Sequence, residues 1–220
     1  MSITPESVQT LLESQDYGDR IQGLNQVRQL PIDKAFPLVV PLVKDDSARV
    51  RYAAVSLFDT LGGENPQLAL ELLRDRLHND SEVDVQSAAA DALAALKFPD
   101  AFDDLQQVYQ QTSEWLLQFS IVAALGEMGD PRAFDLLKDA LASNNHLLQT
   151  AAIGAFGDLG NTDAVPLLIP FATNTDWQIR LRVAQSLGRL DVNQAKSTLE
   201  KLGEDEVEQV AAEAKRFLSS

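Results

Sequence analysis

One sequence pattern recurs along this chain at a nearly constant interval, and it constrains the fold more than any other feature. Its copies are "DRIQGLNQVRQL", "VRYAAVSLFDTL", "VQSAAADALAAL", "LQFSIVAALGEM", "LQTAAIGAFGDL" and "IRLRVAQSLGRL". One residue of each copy defines a reference position: Arg20, Arg51, Gln86, Gln118, Gln149 and Arg180. These residues are 31, 35, 32, 31 and 31 positions apart, a period typical of a solenoid of supersecondary units. A seventh, shorter copy, "VEQVAAEAKRFL", places Glu208 at the reference position, 28 residues after Arg180.

Each copy has the pattern of an amphipathic helix. Val50, Ala54, Phe58 and Leu61 recur with the helical period and form one apolar stripe. A second, shorter amphipathic stretch, such as "PQLALELLRDRL" or "PRAFDLLKDAL", lies between successive copies, and turn signals such as "GGENP" and "GNTD" mark the joins. The repeating unit is therefore a helical hairpin. We predict an all-α fold, an α–α superhelix of about seven hairpins and about 14 helices.

Two apolar runs contain prolines at the same internal spacing. They are "AFPLVVPLV" at 35–43 and "AVPLLIPFA" at 164–172, and each is far shorter than the roughly 20 apolar residues that a membrane-spanning helix needs. We interpret them as first helices of their hairpins and expect no membrane insertion. Pro37 and Pro166 suit a first helical turn, whereas Pro41 and Pro170 lie deeper and should bend the helix.

The composition excludes several kinds of chemistry. The chain has no cysteine, so it forms no disulfide, thiolate metal site or thiol nucleophile, and its two histidines, His78 and His146, are not at ligand spacing. We therefore predict no metal site and no catalytic residues. A formal net charge of −15 repels phosphate backbones, so nucleic acid is not an expected partner.

No linker composition divides the chain, so we predict a single domain over residues 1–220. The segment 203–220 is rich in charged residues and is predicted to form a polar C-terminal cap. The opening "MSITPESVQTLLESQD" becomes acidic and polar at once, unlike a signal peptide, and predicts a cytoplasmic protein.

Several segments resemble a known repeat family. "DDSARVRYAAVSLFDTLG" and "DWQIRLRVAQSLGRL" resemble HEAT repeats, and "LGEMGDPRAFDLLKDAL" and "FGDLGNTDAVPLLIPFA" are most similar to the repeats of phycobilisome-lyase proteins, which include bilin lyase subunits and a phycobilisome-degradation protein. The resemblance covers nearly the whole chain, although "LAALKFPD" in the third copy lacks the glycines of the pattern. It implies a HEAT-like solenoid, phycobiliprotein subunits as partners, and a related lyase-type HEAT chain as a further partner. It also implies a noncovalently held phycobilin with no permanently bound cofactor, and association with phycobilisomes at the thylakoid surface.

Aromatic side chains share two columns of the alignment and predict a binding surface. Three residues before the reference position stand Tyr17, Trp115, His146 and Trp177, and one helical turn later stand Tyr52, Phe119 and Leu181. Small residues, including Gly126, Gly154, Gly157 and Gly188, continue the same face, so stacked units would form an aromatic-rimmed groove. The alternative is that the rings fill junctions between hairpins and the glycines allow close helix packing. We favour a binding surface, since the same column also accepts Ala48 and Val83.

The arginines near the reference position form a second set of candidates. Arg20, Arg51 and Arg180 could bind bilin propionates or an acidic protein surface. We favour the alternative that they pair with the nearby acids Asp16, Asp46 and Asp176, as in the Asp–Arg ladder of HEAT repeats that the chain resembles. Arg49 and Arg182 lie outside that pattern. We expect these two to bind a partner, through bilin propionates or an acidic protein surface.

The sequence is compatible with three functions. The first is a phycobiliprotein-binding protein that assists phycobilisome disassembly or the detachment and handling of bilin. The second is a bilin lyase subunit that attaches or transfers phycobilin to a client cysteine. The third is a general scaffold in cofactor or iron homeostasis, which the repeat features fit equally well.

Overall fold

The computed structural model describes residues 3–219, and all regular secondary structure in that range is helical. The α-helices are α1 (Pro5–Leu12), α2 (Tyr17–Val27), α3 (Ile32–Val39), α4 (Ala48–Ser56), α5 (Phe58–Leu61), α6 (Pro66–Asn79), α7 (Val83–Ala95), α8 (Phe102–Gln111), α9 (Trp115–Met128), α10 (Ala133–Leu141), α11 (His146–Leu159), α12 (Val165–Leu168), α13 (Trp177–Leu190), α14 (Val192–Leu202) and α15 (Glu208–Leu218). Short 3₁₀ segments cover Val40–Lys44, Gly62–Glu64, Pro99–Ala101, Thr162–Ala164 and Ile169–Thr173.

The helices pair into seven hairpins over the described residues, which confirms the predicted fold class. The first helices of the hairpins are α1, α3, α6, α8, α10, α12 and α14, and the second helices are α2, α4 with its continuation α5, α7, α9, α11, α13 and α15. Every second helix buries the predicted stripe; in α4 and α5, for example, Val50, Ala54 and Phe58 are fully buried. None of the helices within residues 3–219 has the length and apolar character needed to cross a membrane.

The proline-containing first helices are interrupted where the sequence predicts. Pro41 and Pro170 each occupy the second position of a 3₁₀ segment that follows a short α-helix, because proline cannot donate the backbone hydrogen bond that would continue the α-helix. Pro166 lies in the first turn of α12, as expected. The prediction for Pro37 is wrong, since α3 already begins at Ile32 after Pro31, which places Pro37 inside the helix.

The structure also corrects the register of the seventh copy. Each earlier second helix begins three residues before its reference position, as α13 does with Trp177 and Arg180. Since α15 begins at Glu208 and buries Val210 and Ala214, the equivalent reference residue is Ala211, not Glu208. The final spacing is then 31 residues, the same as the two spacings before it.

Contacts divide the chain into two compact units, one ending at Ile121 and one beginning at Val122. The boundary falls inside α9 and not in a linker. Leu24, Leu73 and Leu93 are buried in the N-terminal unit, as Phe156 and Leu199 are in the C-terminal unit. The single domain over residues 1–220 stays a prediction.

Candidate binding surface

The aromatic column coincides with the first residue of each second helix, which we call the N1 position. The N1 residues are Tyr17, Ala48, Val83, Trp115, His146, Trp177 and Glu208. The large rings there are exposed: Tyr17 is 49% exposed and Trp115 50% in the N-terminal unit, and Trp177 is 39% exposed in the C-terminal unit. Each unit therefore presents at least one tryptophan to solvent.

The column one turn later, the N5 position, is more varied. Tyr52 is 47% exposed, whereas Phe119 and Leu181 are half-buried. The same column holds Ser87, which is buried. Phe119 and Leu181 therefore contribute to helix packing as well as to the surface, and Tyr52 belongs with the exposed N1 rings.

In the N-terminal unit, a shallow pocket of about 480 Å³ lies between α4 and α7. Its lining residues are Ala48, Arg49, Tyr52, Glu82, Asp84 and Val85. The guanidinium carbon of Arg49 also lies 6.0 Å from the centroid of the Tyr17 ring, at the outer limit of a cation–π contact. Arg49 thus shares its pocket with two carboxylates and lies near one aromatic ring.

The C-terminal unit has an equivalent pocket of about 370 Å³ between α11 and α13, with a different charge. Its lining residues are Thr150, Trp177, Gln178, Leu181, Arg182 and Gln185, so Arg182 meets no carboxylate there. A Cβ atom on Gly154 would lie 3.4 Å from Cδ of Arg182, which shows that the arginine stem extends across this glycine of α11. No ion pair or hydrogen bond of Arg182 is found in the described part of the chain.

Other glycines of this face bring successive second helices close together. A Cβ on Gly126 would lie 2.5 Å from Cα of Ala155, and one on Gly157 would lie 2.9 Å from Cα of Ser186. Gly126 and Gly157 are buried, so they do not line an open groove. The interpretation of close helix packing is confirmed for these two positions.

The arginines at the reference position form a ladder, but with acids other than the predicted ones. Arg51 donates from Nε and Nη2 to Asp80, both at 2.8 Å, and Arg180 donates in the same way to Asp205 at 2.7 and 2.9 Å. Arg20 pairs with Asp45, with Nε 2.8 Å from Oδ2. Each acid comes from the hairpin that follows.

The prediction of Asp16, Asp46 and Asp176 as partners is therefore wrong. Asp16 and Asp176 instead accept hydrogen bonds from backbone amides at the start of α2 and α13, and Asp46 contributes only its carbonyl oxygen to Arg51. The true partners occupy a column six residues before the reference position, which was visible in the sequence. Its members are Ser14, Asp45, Asp80, Thr112, Ser143, Asn174 and Asp205.

The residues of this column, which we call the turn residues, all fold the chain into the next helix. Each side chain accepts a hydrogen bond from the backbone amide two residues on, at 2.8 to 3.2 Å. Burial alone would raise the pKa of Asp80, but hydrogen bonds from Arg51 and the Glu82 amide, with the charges of Arg51 and Arg76, hold that pKa below its usual value. Arg180 likewise lowers the pKa of Asp205, mainly by hydrogen bonding.

His146 is exposed at the N1 position, and its backbone carbonyl accepts a hydrogen bond from Thr150. Within residues 3–219 there is no group of three His, Cys, Asp or Glu side chains able to hold a metal ion. The other histidine, His78, lies elsewhere, with Nε2 2.9 Å from Oδ1 of Asp104. His146 therefore adds an exposed imidazole to the N1 residues.

The family model for HEAT repeats matches residues 70–155 and 144–219, more than half of the chain. The protein belongs to the HEAT-repeat family. A comparison with curated proteins finds no match.

Solved structures with a similar fold come from several sources. The complex of CpcE and CpcF of phycocyanin lyase from Nostoc sp. PCC7120 matches at 19% identity and a TM-score of 0.67, over 100% of this chain and 95% of that chain. YibA from Escherichia coli matches at 15% identity and a TM-score of 0.67, over 99% and 82%. An archaeal HEAT-like repeats protein from Thermococcus onnurineus NA1 matches at 12% identity and a TM-score of 0.60, over 100% and 97%. At these identities the likeness establishes the fold.

Proposed function

We propose that this protein binds a phycobiliprotein client through the exposed rings at its N1 positions and assists phycobilisome disassembly or the detachment and handling of bilin. One observation carries the proposal: Trp115 and Trp177 occupy the same N1 position in two different hairpins, and both are exposed. Tyrosine and tryptophan are the residues most enriched at protein-binding surfaces.

Packing alone does not account for the rings. Ala48 and Val83 begin equivalent helices in the same fold, so the hairpin does not require a large side chain at N1. An exposed tryptophan keeps much of its apolar surface in water, and a partner that covers this surface gains the corresponding free energy. We therefore assign the N1 rings to recognition of a partner.

The choice of client rests on two supports. The repeats "LGEMGDPRAFDLLKDAL" and "FGDLGNTDAVPLLIPFA" resemble those of phycobilisome-lyase proteins, and the segment "SVQTLLESQDYGDRIQGLNQVRQL" is most similar to the degradation branch of these proteins. The fold also matches the phycocyanin lyase complex over the full length of this chain. A phycobilin held noncovalently would stack on the same rings, with no permanently bound cofactor, and the site of action would be the phycobilisome.

The test measures the affinity of the purified protein for a phycobiliprotein, with co-elution on a sizing column and the visible spectrum recorded together. We expect replacement of both Trp115 and Trp177 by Ala to weaken binding by at least about tenfold, as for the loss of aromatic hot spots. Ile32→Ala and Ile169→Ala remove comparably exposed apolar side chains away from the N1 positions and serve as matched controls. An unchanged affinity in a double variant with wild-type helical content would overturn the aromatic surface.

A second candidate is a bilin lyase subunit that works with a related HEAT chain. It is favoured by the full-length likeness to the complex of CpcE and CpcF. Because this chain has no cysteine, it would orient the pigment without a thioether of its own. A shift or loss of the bilin absorption band on mixing would support this candidate, and co-elution with an unchanged spectrum would support the binding protein. A complete lack of interaction would leave only the general scaffold.

A further inference from the structure

The two equivalent pockets of the molecule differ in charge, and the difference identifies a candidate specificity residue. In the N-terminal unit, Glu82 and Asp84 line the same pocket as Arg49. In the C-terminal unit, Arg182 is the charged residue among the six that line the pocket. The cation of the second pocket is therefore not compensated locally.

The position of Arg182 is set by its neighbours. Its aliphatic stem extends over Gly154, with Nε 3.7 Å and Nη1 3.9 Å from the place of a Cβ atom on that glycine. Trp177 and Leu181 line the pocket from the same helix as Arg182. Arg182 is exposed, so its guanidinium group is accessible to a partner. Such a group is well suited to a carboxylate, because its planar fork can donate two parallel hydrogen bonds.

The net charge of the chain makes this cation selective. With a formal charge of −15, the surface repels an acidic partner at most points of approach. A carboxylate of the partner is favoured only where a cation has no acid of its own chain beside it. One such cation therefore affects where an acidic partner docks more than how tightly it binds.

We propose that the pocket between α11 and α13 binds an aspartate or glutamate side chain of the client protein, with Arg182 as the residue that pairs with the carboxylate and Trp177 covering the adjacent apolar surface. This inference rests on the proposed function, since it names the chemistry that the client presents to one of the N1 tryptophans. We assign the carboxylate to the client protein, and the propionate of a bound pigment is the competing source.

The test compares the affinity of wild type, Arg182→Gln and Arg182→Lys for a phycobiliprotein over a range of salt concentrations. We expect Arg182→Gln to weaken binding about tenfold and to make it less sensitive to salt, as for the loss of one charge-assisted hydrogen-bonded pair. Arg182→Lys keeps the charge without the planar fork and should recover part of the affinity. The matched control is Arg189→Gln, which removes the same charge from the same helix at a residue that pairs with Asp158 outside the pocket.

The outcomes separate this inference from the function on which it rests. If wild type binds and Arg182→Gln binds equally well with the same salt dependence, the carboxylate role is overturned and the aromatic surface stands. If wild type does not bind, both are overturned. The same measurement with the pigment-free client identifies the source: an equal loss with and without pigment supports the protein carboxylate, and a loss confined to the pigmented client overturns it.

Discussion

The turns that lead into the second helices are of two kinds, and the N1 residue three positions after the turn residue differs between them. Three turn residues are acids, Asp45, Asp80 and Asp205, and each is paired with the reference arginine of the preceding hairpin. Their N1 residues are Ala48, Val83 and Glu208. The other four turn residues are neutral, namely Ser14, Thr112, Ser143 and Asn174. The N1 residues after them are Tyr17, Trp115, His146 and Trp177, every one of which carries a ring.

This difference separates two duties that one repeat could have combined. The acidic turns join neighbouring hairpins through ion pairs, which are bidentate for Arg51 and Arg180. The Asp80 side chain is 0% exposed in its pair with Arg51. The side chains of the neutral turns form no ion pair with a neighbouring hairpin and accept the local hydrogen bond from the backbone, and Ser14 also donates to Asp19. The helices that follow begin with an exposed ring or histidine. The acidic turns thus join neighbouring hairpins, and the neutral turns precede the exposed rings that we propose to bind a partner.

The largest expected effect comes from removing an acidic turn residue. Asp80→Ala removes the carboxylate that pairs with both Arg51 and Arg76. We expect a loss of about 3 kcal/mol in the free energy of unfolding, because nearly buried charge loses its partner. Thr112→Ala makes the same truncation at a neutral turn and should cost about 1 kcal/mol or less, the value of one hydrogen bond. Urea denaturation followed by circular dichroism measures both.

The difference between the losses in unfolding free energy of Asp80→Ala and Thr112→Ala measures what the ion pair adds. Equal losses would mean that the turn hydrogen bond, common to both positions, supplies the stability, and that the ion pair adds nothing. Asp80→Asn is the matched control, since it keeps the shape and the acceptor oxygen for the Glu82 amide while removing the charge. The loss in unfolding free energy of Asp80→Asn should lie between those of Asp80→Ala and Thr112→Ala.

The sequence predicted the hairpins because the apolar stripe and the turns repeat locally. It did not predict the partners of Arg20, Arg51 and Arg180, because acids near in sequence were preferred to acids 25 to 29 residues ahead. The periodicity contained the correct answer, since acidic turn residues follow reference arginines and neutral ones follow reference glutamines. A pairing between repeats is visible only when two columns are read one repeat apart.

The candidate surface was predictable in part for the same reason. The exposure of Trp115 and Trp177 follows from the N1 position, which the repeat fixes locally. The partial burial of Phe119 and Leu181 depends on the side chains of neighbouring helices, which the alignment does not contain. The contrast between Arg49 and Arg182 also depends on such neighbours, because Glu82 and Asp84 belong to a different hairpin from Arg49.

The second expected effect is a loss of stability at low pH. The pKa values of Asp80 and Asp205 are lowered in the folded protein. As the pH falls, the unfolded chain therefore binds more protons than the folded protein, and the ion pairs contribute less to the free energy of unfolding. That contribution is fully present above the unfolded pKa of about 3.9 and is lost as the pH falls through the folded values below it. We expect the urea midpoint to decrease steeply between about pH 4 and pH 2.

The double variant Asp80→Asn with Asp205→Asn tests whether the acidic turns are responsible. Its stability should depend less on pH over this range than that of wild type. Some dependence should remain, because the pKa values of Asp75 and Asp130 are also lowered, chiefly by hydrogen bonds from Arg76 and Arg132. An identical pH profile for the two proteins would contradict the assignment.

The smallest expected effect concerns the neutral reference positions. Nε2 of Gln118 donates to the carbonyl oxygen of Thr112 at 3.1 Å, so Gln118→Ala should cost about 1 kcal/mol of unfolding free energy. In the described residues no hydrogen bond of the Gln149 side chain is found, and Gln149→Ala should change stability by less than about 0.5 kcal/mol. If Gln149→Ala lowered the free energy of unfolding as much as Gln118→Ala, the hydrogen bond to the turn carbonyl would not explain the loss. The glutamines at the reference position would then stabilise the contacts between hairpins, as we infer for the arginines. A difference of the expected size means that the bond to the turn carbonyl, and not the glutamine itself, holds the turn before Trp115 in place.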